Sequence, residues 1–205
     1  MTGSSLDNPK GLACALHNAS LCASDDENRP ILTCASISAD ADGIKFVSTD
    51  SYILCVQELA LTSSPRLGVD VWDGAWDVML SRDELSVARH VLAGLKDTPV
   101  DLERVDEGLL MKVASREILL PQFVYDGEFP DWRKLLVTES KDVGTLHLGA
   151  WIMRRLSALK LPNVDKDEAV VRLDFSGKIG PIKFKAHRDD ELKVYGAVMP
   201  VNTGT

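Results

Sequence analysis

The chain has 205 residues, 45% of them hydrophobic and 26% charged, with a formal net charge of −8. That composition is expected of a soluble globular chain, long enough for one large domain or two small ones, and its apolar runs, such as Ile118–Leu120, are far too short to span a bilayer. An acidic chain cannot grip a polyanion with a uniformly basic surface, so any nucleic-acid contact must come from a local patch or from geometry.

Met1-Thr2-Gly3-Ser4-Ser5 lacks a basic region followed by an apolar core, so no secretory signal is expected and the cytoplasm is the default location. Residues 1–8 read as polar and disordered. From Pro9 to Ala23, the residues Leu12, Ala15, Leu16, Ala19 and Cys22 recur at three- and four-residue spacing and predict a helix. Pro9 suits its first turn, where the missing N–H does no harm. Ser24-Asp25-Asp26-Glu27-Asn28 breaks that pattern, and strands are predicted at 31–38, 44–48 and 53–58. Asp42-Gly43 is a hairpin signal, and the polar run Thr49-Asp50-Ser51-Tyr52 turns the chain between two strands. Leu61–Asp77 reads as an irregular connector holding Trp72 and Trp76, which either cover a sheet edge or meet a partner.

A second helix opens at Ser81-Arg82-Asp83-Glu84, a capping box, and buries Leu85, Ala88, Val91, Leu92 and Leu95. It is expected to stop between Gly94 and Pro99. Strands follow at 100–105, 109–114 and 117–124 around the Glu107-Gly108 turn. A third cycle starts at Leu148 with a helix marked by Ile152, Leu156 and Leu159 and ended by Pro162, then strands at 170–175, 182–186 and 193–199. The pattern is one unit used three times, a helix and then about three antiparallel strands, which makes the fold class α+β. A single unit cannot close a core, so units must pair with helices side by side on the sheets.

Enzymatic signals are weak. His17, His90, His147 and His187 follow no metal-ligand spacing, and Cys14, Cys22, Cys34 and Cys55 read as free thiols in a reducing compartment. The acidic clusters at 25–27, 165–168 and 189–190 fall in predicted turns, and no phosphate-binding glycine motif or nucleophile elbow is present. No catalytic residue, metal or cofactor is therefore expected.

Three segments carry a resemblance. Val47-Ser48-Thr49-Asp50-Ser51-Tyr52-Ile53-Leu54-Cys55-Val56-Gln57-Glu58-Leu59 resembles the "ATD…L-V" segment in the middle domain of the bacterial sliding clamp, the β subunit of DNA polymerase III. Asp126-Gly127-Glu128-Phe129-Pro130-Asp131-Trp132-Arg133-Lys134-Leu135-Leu136 is similar to the family's "DG-x-FPDYRR-V-L" crossing segment. Tyr195-Gly196-Ala197-Val198-Met199-Pro200-Val201 is similar to its C-terminal "V-MPM". The three lie in family order. The resemblance implies a DNA-clamp fold of helix-plus-sheet units with the helices on one face. Residues 8–138 resemble the whole middle domain and 145–201 only the second half of the last, which divides the chain into a two-unit clamp domain at 1–140 and a single unit at 141–205.

The family binds short peptides of polymerases and other partners in an apolar pocket. Residue by residue, the resemblance assigns that pocket to Leu32, Thr49, Ser51, Tyr52, Ile53 and Leu54, to Pro130, Lys134 and Leu135, and to Trp151, Val198, Met199 and Pro200. Met, Leu and Pro make an adaptable groove and an aromatic a rigid wall, although the same side chains would also serve simply to pack a junction between units. Tyr52 stands where the family commonly has His, and Ile53 where it commonly has Arg. The basic helix residues Lys10, Arg82, Arg89, Arg154, Arg155 and Lys160 are candidates for double-stranded DNA, or else a solvated helix face; Asp26 falls where the family often has a polar DNA contact. The implied partners are DNA, polymerase and other proteins with clamp-binding motifs, and a clamp loader, with no membrane. Full clamps have six units per chain and twelve per ring. Three units here leave the third with an unpaired face, expected to meet its copy in another chain, so that four chains would make a ring, with an unclosed dimer as the alternative. A non-ring interaction module that binds clamp-binding motifs is the rival reading.

Overall fold

Alternation of period two in the strands and of three to four in the helices sorts these side chains onto faces, and in the computed structural model those faces meet. Residues 2–61, 74–95, 98–136, 147–162, 164, 169–175, 180–187 and 193–201 are described. In chain order the elements are β1 (Thr2–Leu6), α1 (Pro9–Cys22), a 3₁₀ turn (Pro30–Leu32), β2 (Cys34–Asp40), β3 (Gly43–Thr49) and β4 (Ile53–Leu59). Then come β5 (Trp76–Ser81), α2 (Arg82–Leu92), β6 (Val100–Val105), β7 (Gly108–Val113) and β8 (Arg116–Pro121). A short α3 (Arg133–Leu136) leads to α4 (Ala150–Ala158), β9 (Val170–Asp174), β10 (Ile182–His187) and β11 (Lys193–Val198).

The helix ends follow from local chemistry. Asn8 Oδ1 accepts from Gly11 N–H at 2.7 Å ahead of Pro9, and Ser81 Oγ accepts from Glu84 N–H at 3.4 Å, the serine half of the expected capping box. Gly94, at φ +84°, releases the chain after α2.

Two antiparallel sheets result, one of order β5-β2-β3-β4-β11-β10-β9 and one of order β1-β6-β7-β8. Two expectations are corrected here. Residues 2–6, expected to be disordered, form β1, which pairs with β6 from Thr2↔Arg104 to Leu6↔Val100. Trp76 and Asp77, expected in an irregular connector, begin β5, which pairs with β2 from Ala39↔Trp76 to Cys34↔Ser81. The first two units are thus strand–helix–three strands, and each lends its leading strand to the sheet of the other. This reciprocal exchange welds them together. The Trp76 indole N–H donates to Ser4 Oγ at 3.2 Å, fastening the two leading strands, so Trp76 is a buried tie; Trp72 lies outside the described residues. The strands expected at 31–38 and 117–124 are also shorter, the first because Pro30–Leu32 coils, the second because the pairing ends at Pro121.

Helices α1 and α2 lie side by side over one core built from both units, including Leu12, Leu16, Ile37, Phe46, Leu85, Leu102 and Met111. A second core places Ile152 and Leu156 of α4 on Phe184, Val194 and Val198, and reaches Cys22 and Ile53 of the first unit. The third unit is joined to the first by β11 on β4, from Lys193↔Glu58 to Val198↔Ile53. One edge of its sheet is thus closed within the chain. A side chain on Gly196 would place its Cβ 1.7 Å from the Leu54 carbonyl oxygen, so this close approach of strands demands glycine.

Candidate functional site

The turn between β3 and β4 is the centre of the site, and its shape is set by Asp50. The Asp50 carboxylate accepts from the Tyr52 and Ile53 backbone N–H groups, each at 2.8 Å, and its other oxygen is held by the guanidinium of Arg155 on α4. Ser51 is thereby left in the left-handed region at φ +81°, and the Arg29 guanidinium donates to its Oγ at 2.9 Å. The turn is stapled to β11 as well, since Met199 N–H donates to Tyr52 O at 2.8 Å. Tyr52, 52% exposed, stands edge-on to Trp151 with centroids 5.4 Å apart. Arg155 also sits over the Trp151 ring at 5.4 Å, so one arginine orients both the turn and the aromatic wall.

Beside this turn the segment 126–136 crosses the outer face of the sheet. Phe129, Trp132 and Leu136 pack there on Val47, Leu54 and Val56, the residues that alternate away from the helices. Tyr195 joins them, its hydroxyl donating to Glu58 at 2.7 Å; burial and that bond hold its phenol well above the usual tyrosine range. A cleft of about 300 Å³ opens between crossing segment, turn and third unit. Of the residues expected there, Leu32, Thr49, Ser51, Tyr52, Ile53, Leu54, Pro130, Leu135 and Met199 line it together. Trp132, Pro181 and Ala197 also line it and were not anticipated. Trp132 was the legible one, since it occupies the aromatic position of the crossing motif.

The remaining expected pocket residues lie elsewhere. Val198 is fully buried in the second core, and Lys134 is an exposed partner of Asp131 at 3.0 Å. Trp151 borders the cleft through Tyr52, while Pro200 is half-buried just past Met199 without lining it.

The helical side carries a second cleft, of about 620 Å³, where Lys10, Arg89 and Lys160 come together with His90, Cys14 and Leu95. Arg89 donates to His17 Nδ1 at 2.9 Å. Arginine can only donate, so His17 carries its proton on Nε2, which reaches Ala158 O at 3.3 Å. This chain links α2, α1 and α4. Of the other basic candidates, Arg82 reaches back to Ser24 O at 3.5 Å, Arg154 is exposed and Arg155 is engaged by Asp50. Asp26 is paired with Arg29, which together with Asn28 lowers its pKa.

A residue that pattern reading passed over ties the units beneath the site. Asn18 on α1 is fully buried; its Nδ2 donates to Gln57 Oε1 at 2.7 Å and to Lys160 O at 2.8 Å, and its Oδ1 accepts from Lys160 N–H at 2.8 Å. Only its place among Leu12, Ala15, Leu16 and Ala19 on the apolar stripe could have marked it. The cysteines are free: hydrogen bonding to Cys55 and then burial push the Cys22 thiol up, and burial pushes Cys34 up to about 11. Among the described residues no group of three or more His, Cys, Asp or Glu side chains is placed to hold a metal ion, and no helix is long and apolar enough to cross a membrane.

The fold is similar to that of solved bacterial sliding clamps. The DNA polymerase III β subunit of Thermotoga maritima superposes with a TM-score of 0.74 at 12% identity, over 98% of this chain and 66% of that one. The DNA polymerase sliding clamp of Bacillus subtilis gives 0.72 at 14% identity, over 98% and 64%. The sliding clamp of Pseudomonas aeruginosa, solved bound to griselimycin, gives 0.76 at 12% identity, over 98% and 65%. No family model and no curated protein sequence matches the chain. The chain has the sliding-clamp fold, and it spans about 65% of the length of these solved clamps.

Proposed function

We propose that this protein is a sliding clamp: a non-enzymatic, homo-oligomeric ring around double-stranded DNA that tethers a replicative polymerase through the cleft at Tyr52 and Met199. The observation that carries the reading is that cleft. On a clamp fold, three segments far apart in sequence converge on one apolar concavity at a junction between units, beside an exposed Tyr52–Trp151 pair. A volume of about 300 Å³ suits the apolar anchors of a short extended peptide better than a folded partner. Trp151, in edge-on contact with Tyr52, and Pro200, just past Met199, then stand at its rim.

DNA would pass the helical side, where Lys10, Arg89 and Lys160 gather on an otherwise acidic chain. Few phosphate contacts suit a protein that must slide, since strong ones would act as brakes. Four chains of three units would reproduce a twelve-unit ring, with a clamp loader to open it; the setting is the cytoplasm. A non-ring module that binds the same motifs is the second reading, since the cleft lies wholly within one chain and needs no ring to form.

The test is titration of a fluorescent peptide carrying a clamp-binding motif. Saturable binding is expected, weakened at least about tenfold in Trp151→Ala/Met199→Ala, since truncating a buried aromatic or methionine anchor removes roughly 1.5–3 kcal/mol. Equal affinity for both proteins would overturn the assignment of the cleft.

A further inference from the structure

The cations of the helical cleft are held by other side chains rather than left to solvent. Asn18 grips both backbone groups of Lys160, and the Arg89 guanidinium donates to His17 Nδ1 at 2.9 Å. Lys10 joins them from the first turn of α1. Three elements thus bring three positive charges to one concavity of about 620 Å³, a size within the range of small-molecule sites. A DNA backbone offers singly charged phosphates strung along a line, and a flat basic face is enough to meet them. A concavity that gathers cations suits an anion whose charge is concentrated, such as a terminal phosphate or diphosphate.

The rest of the lining is of another kind. Leu92, Leu95 and Pro162 give the cleft an apolar wall, which a bare phosphate does not need. Gly94, at φ +84°, turns the chain so that Leu95 comes back beside Leu92, and the Leu95 N–H donates to Leu92 O at 3.1 Å. His90 lines the cleft as well, with its Nδ1 at 2.7 Å from Ser86 O. A carbonyl only accepts, so in the neutral ring the proton sits on Nδ1 and Nε2 keeps a lone pair for an amino or hydroxyl group. Cations, an apolar wall and one fixed acceptor together describe a ligand with a charged end and a flat body that carries donors.

We propose that the cleft between α1, α2 and the segment after α4 binds a free nucleoside diphosphate. Its phosphates meet Lys10, Arg89 and Lys160, the arginine fork pairing with two oxygens and each lysine adding a point charge. The base lies along Leu92, Leu95 and Pro162, and His90 Nε2 accepts from it or from the sugar. Cys14 supplies a reporter at the same place. Burial raises its thiol pKa and the Lys160 ammonium opposes the rise, so thiol and ammonium lie close together and a bound ligand covers both. The proposal goes beyond the clamp reading. It requires no ring and no peptide, and shares with the DNA path only the three cations.

The experiment is calorimetric titration of the DNA-free chain with ADP, with pyrophosphate and with adenosine, at low salt. It is repeated on Arg89→Ala/Lys160→Ala, on Lys10→Glu/Lys160→Glu, which leaves the Arg89–His17 contact alone, and on Lys134→Ala, an exposed cation of the crossing segment that serves as control. Circular dichroism confirms the fold of each. One ADP per chain is expected, with pyrophosphate and adenosine each weaker by at least about tenfold, and ADP weaker by at least about tenfold in either cleft variant but unchanged in Lys134→Ala. Bound ADP should also slow labelling of Cys14. Absence of saturable ADP binding would overturn the proposal, as would equal affinity for ADP and pyrophosphate, or unchanged ADP affinity in both folded cleft variants. Duplex association is measured separately: ADP binding without it sinks the DNA path alone, and duplex association without ADP binding sinks this proposal alone.

Discussion

Replacing Asn18 by alanine should damage the chain more than any other single polar truncation on α1. The side chain is completely buried and makes three hydrogen bonds, two to the backbone of Lys160 and one to Gln57. Alanine leaves the Lys160 N–H and carbonyl and the Gln57 Oε1 without this partner, beside a Gln57 Nε2 that already has no bond. Each stranded buried group costs about 1–3 kcal/mol. Lys160 sits at the rim of the helical cleft, where water can reach its backbone, which brings the expected total down to about 2–4 kcal/mol. Urea unfolding followed by circular dichroism reads this directly, and the lost midpoint should come without a change in slope. Gln57→Leu is the companion: it removes the unpaired amide and leaves Asn18 its Lys160 contacts, so it should cost less than Asn18→Ala. A loss below about 1 kcal/mol for Asn18→Ala would refute the view that this side chain holds the third unit to the first.

Other perturbations have equally definite outcomes. Gly196→Ala should destabilise by at least about 1–3 kcal/mol, because its Cβ meets the Leu54 carbonyl; a wild-type melting temperature would contradict the close β4–β11 approach. Thiol labelling of the native chain at pH 8 should be slow at half-buried Cys14 and negligible at Cys22, Cys34 and Cys55, whose sulfurs are closed off from solvent; mass spectrometry showing rapid modification of Cys34 would contradict its burial and the raised pKa that follows from it. Lys10→Ala/Arg89→Ala/Lys160→Ala should weaken DNA association and flatten its dependence on salt by up to about three in log–log slope, whereas Arg155→Ala should leave the salt slope alone and loosen peptide binding. An unaltered slope in the triple variant would remove the helical cleft from the DNA path.

Most elements were legible because local signals agreed with the fold. Pro9, the apolar stripe through Cys22 and the Ser81 cap set the helices, alternating residues set β3, β6 and β7, and the apolar run Ile53-Leu54-Cys55-Val56 set β4. Strand β1 was not legible, because Thr-Gly-Ser-Ser has neither alternation nor bulk; it is a strand through its partner β6, and its Ser4 and Ser5 are buried by tertiary contact. Strand β5 did carry a signal, Trp76, Val78 and Leu80 alternating inward with Asp77 and Met79 between them, but it follows directly on the polar connector and was read with it. In the cleft, the turn at Thr49–Leu54 and the crossing Pro130 were readable as motifs. Side-chain direction was not: Val198 and Met199 are neighbours, yet strand alternation sends the first into the core and leaves the second at the cleft. Charge was least informative, since Arg155 looks like a surface cation until Asp50 appears across from it, 105 positions away in sequence.

The measurement that bears most directly on the central claim is particle imaging of the purified wild-type chain at the concentration where its mass is greatest. Closed rings with an opening wide enough for duplex DNA are expected, with the Lys10, Arg89 and Lys160 face turned inward. Compact or open particles without a hole would contradict the clamp and leave the peptide-binding module in its place.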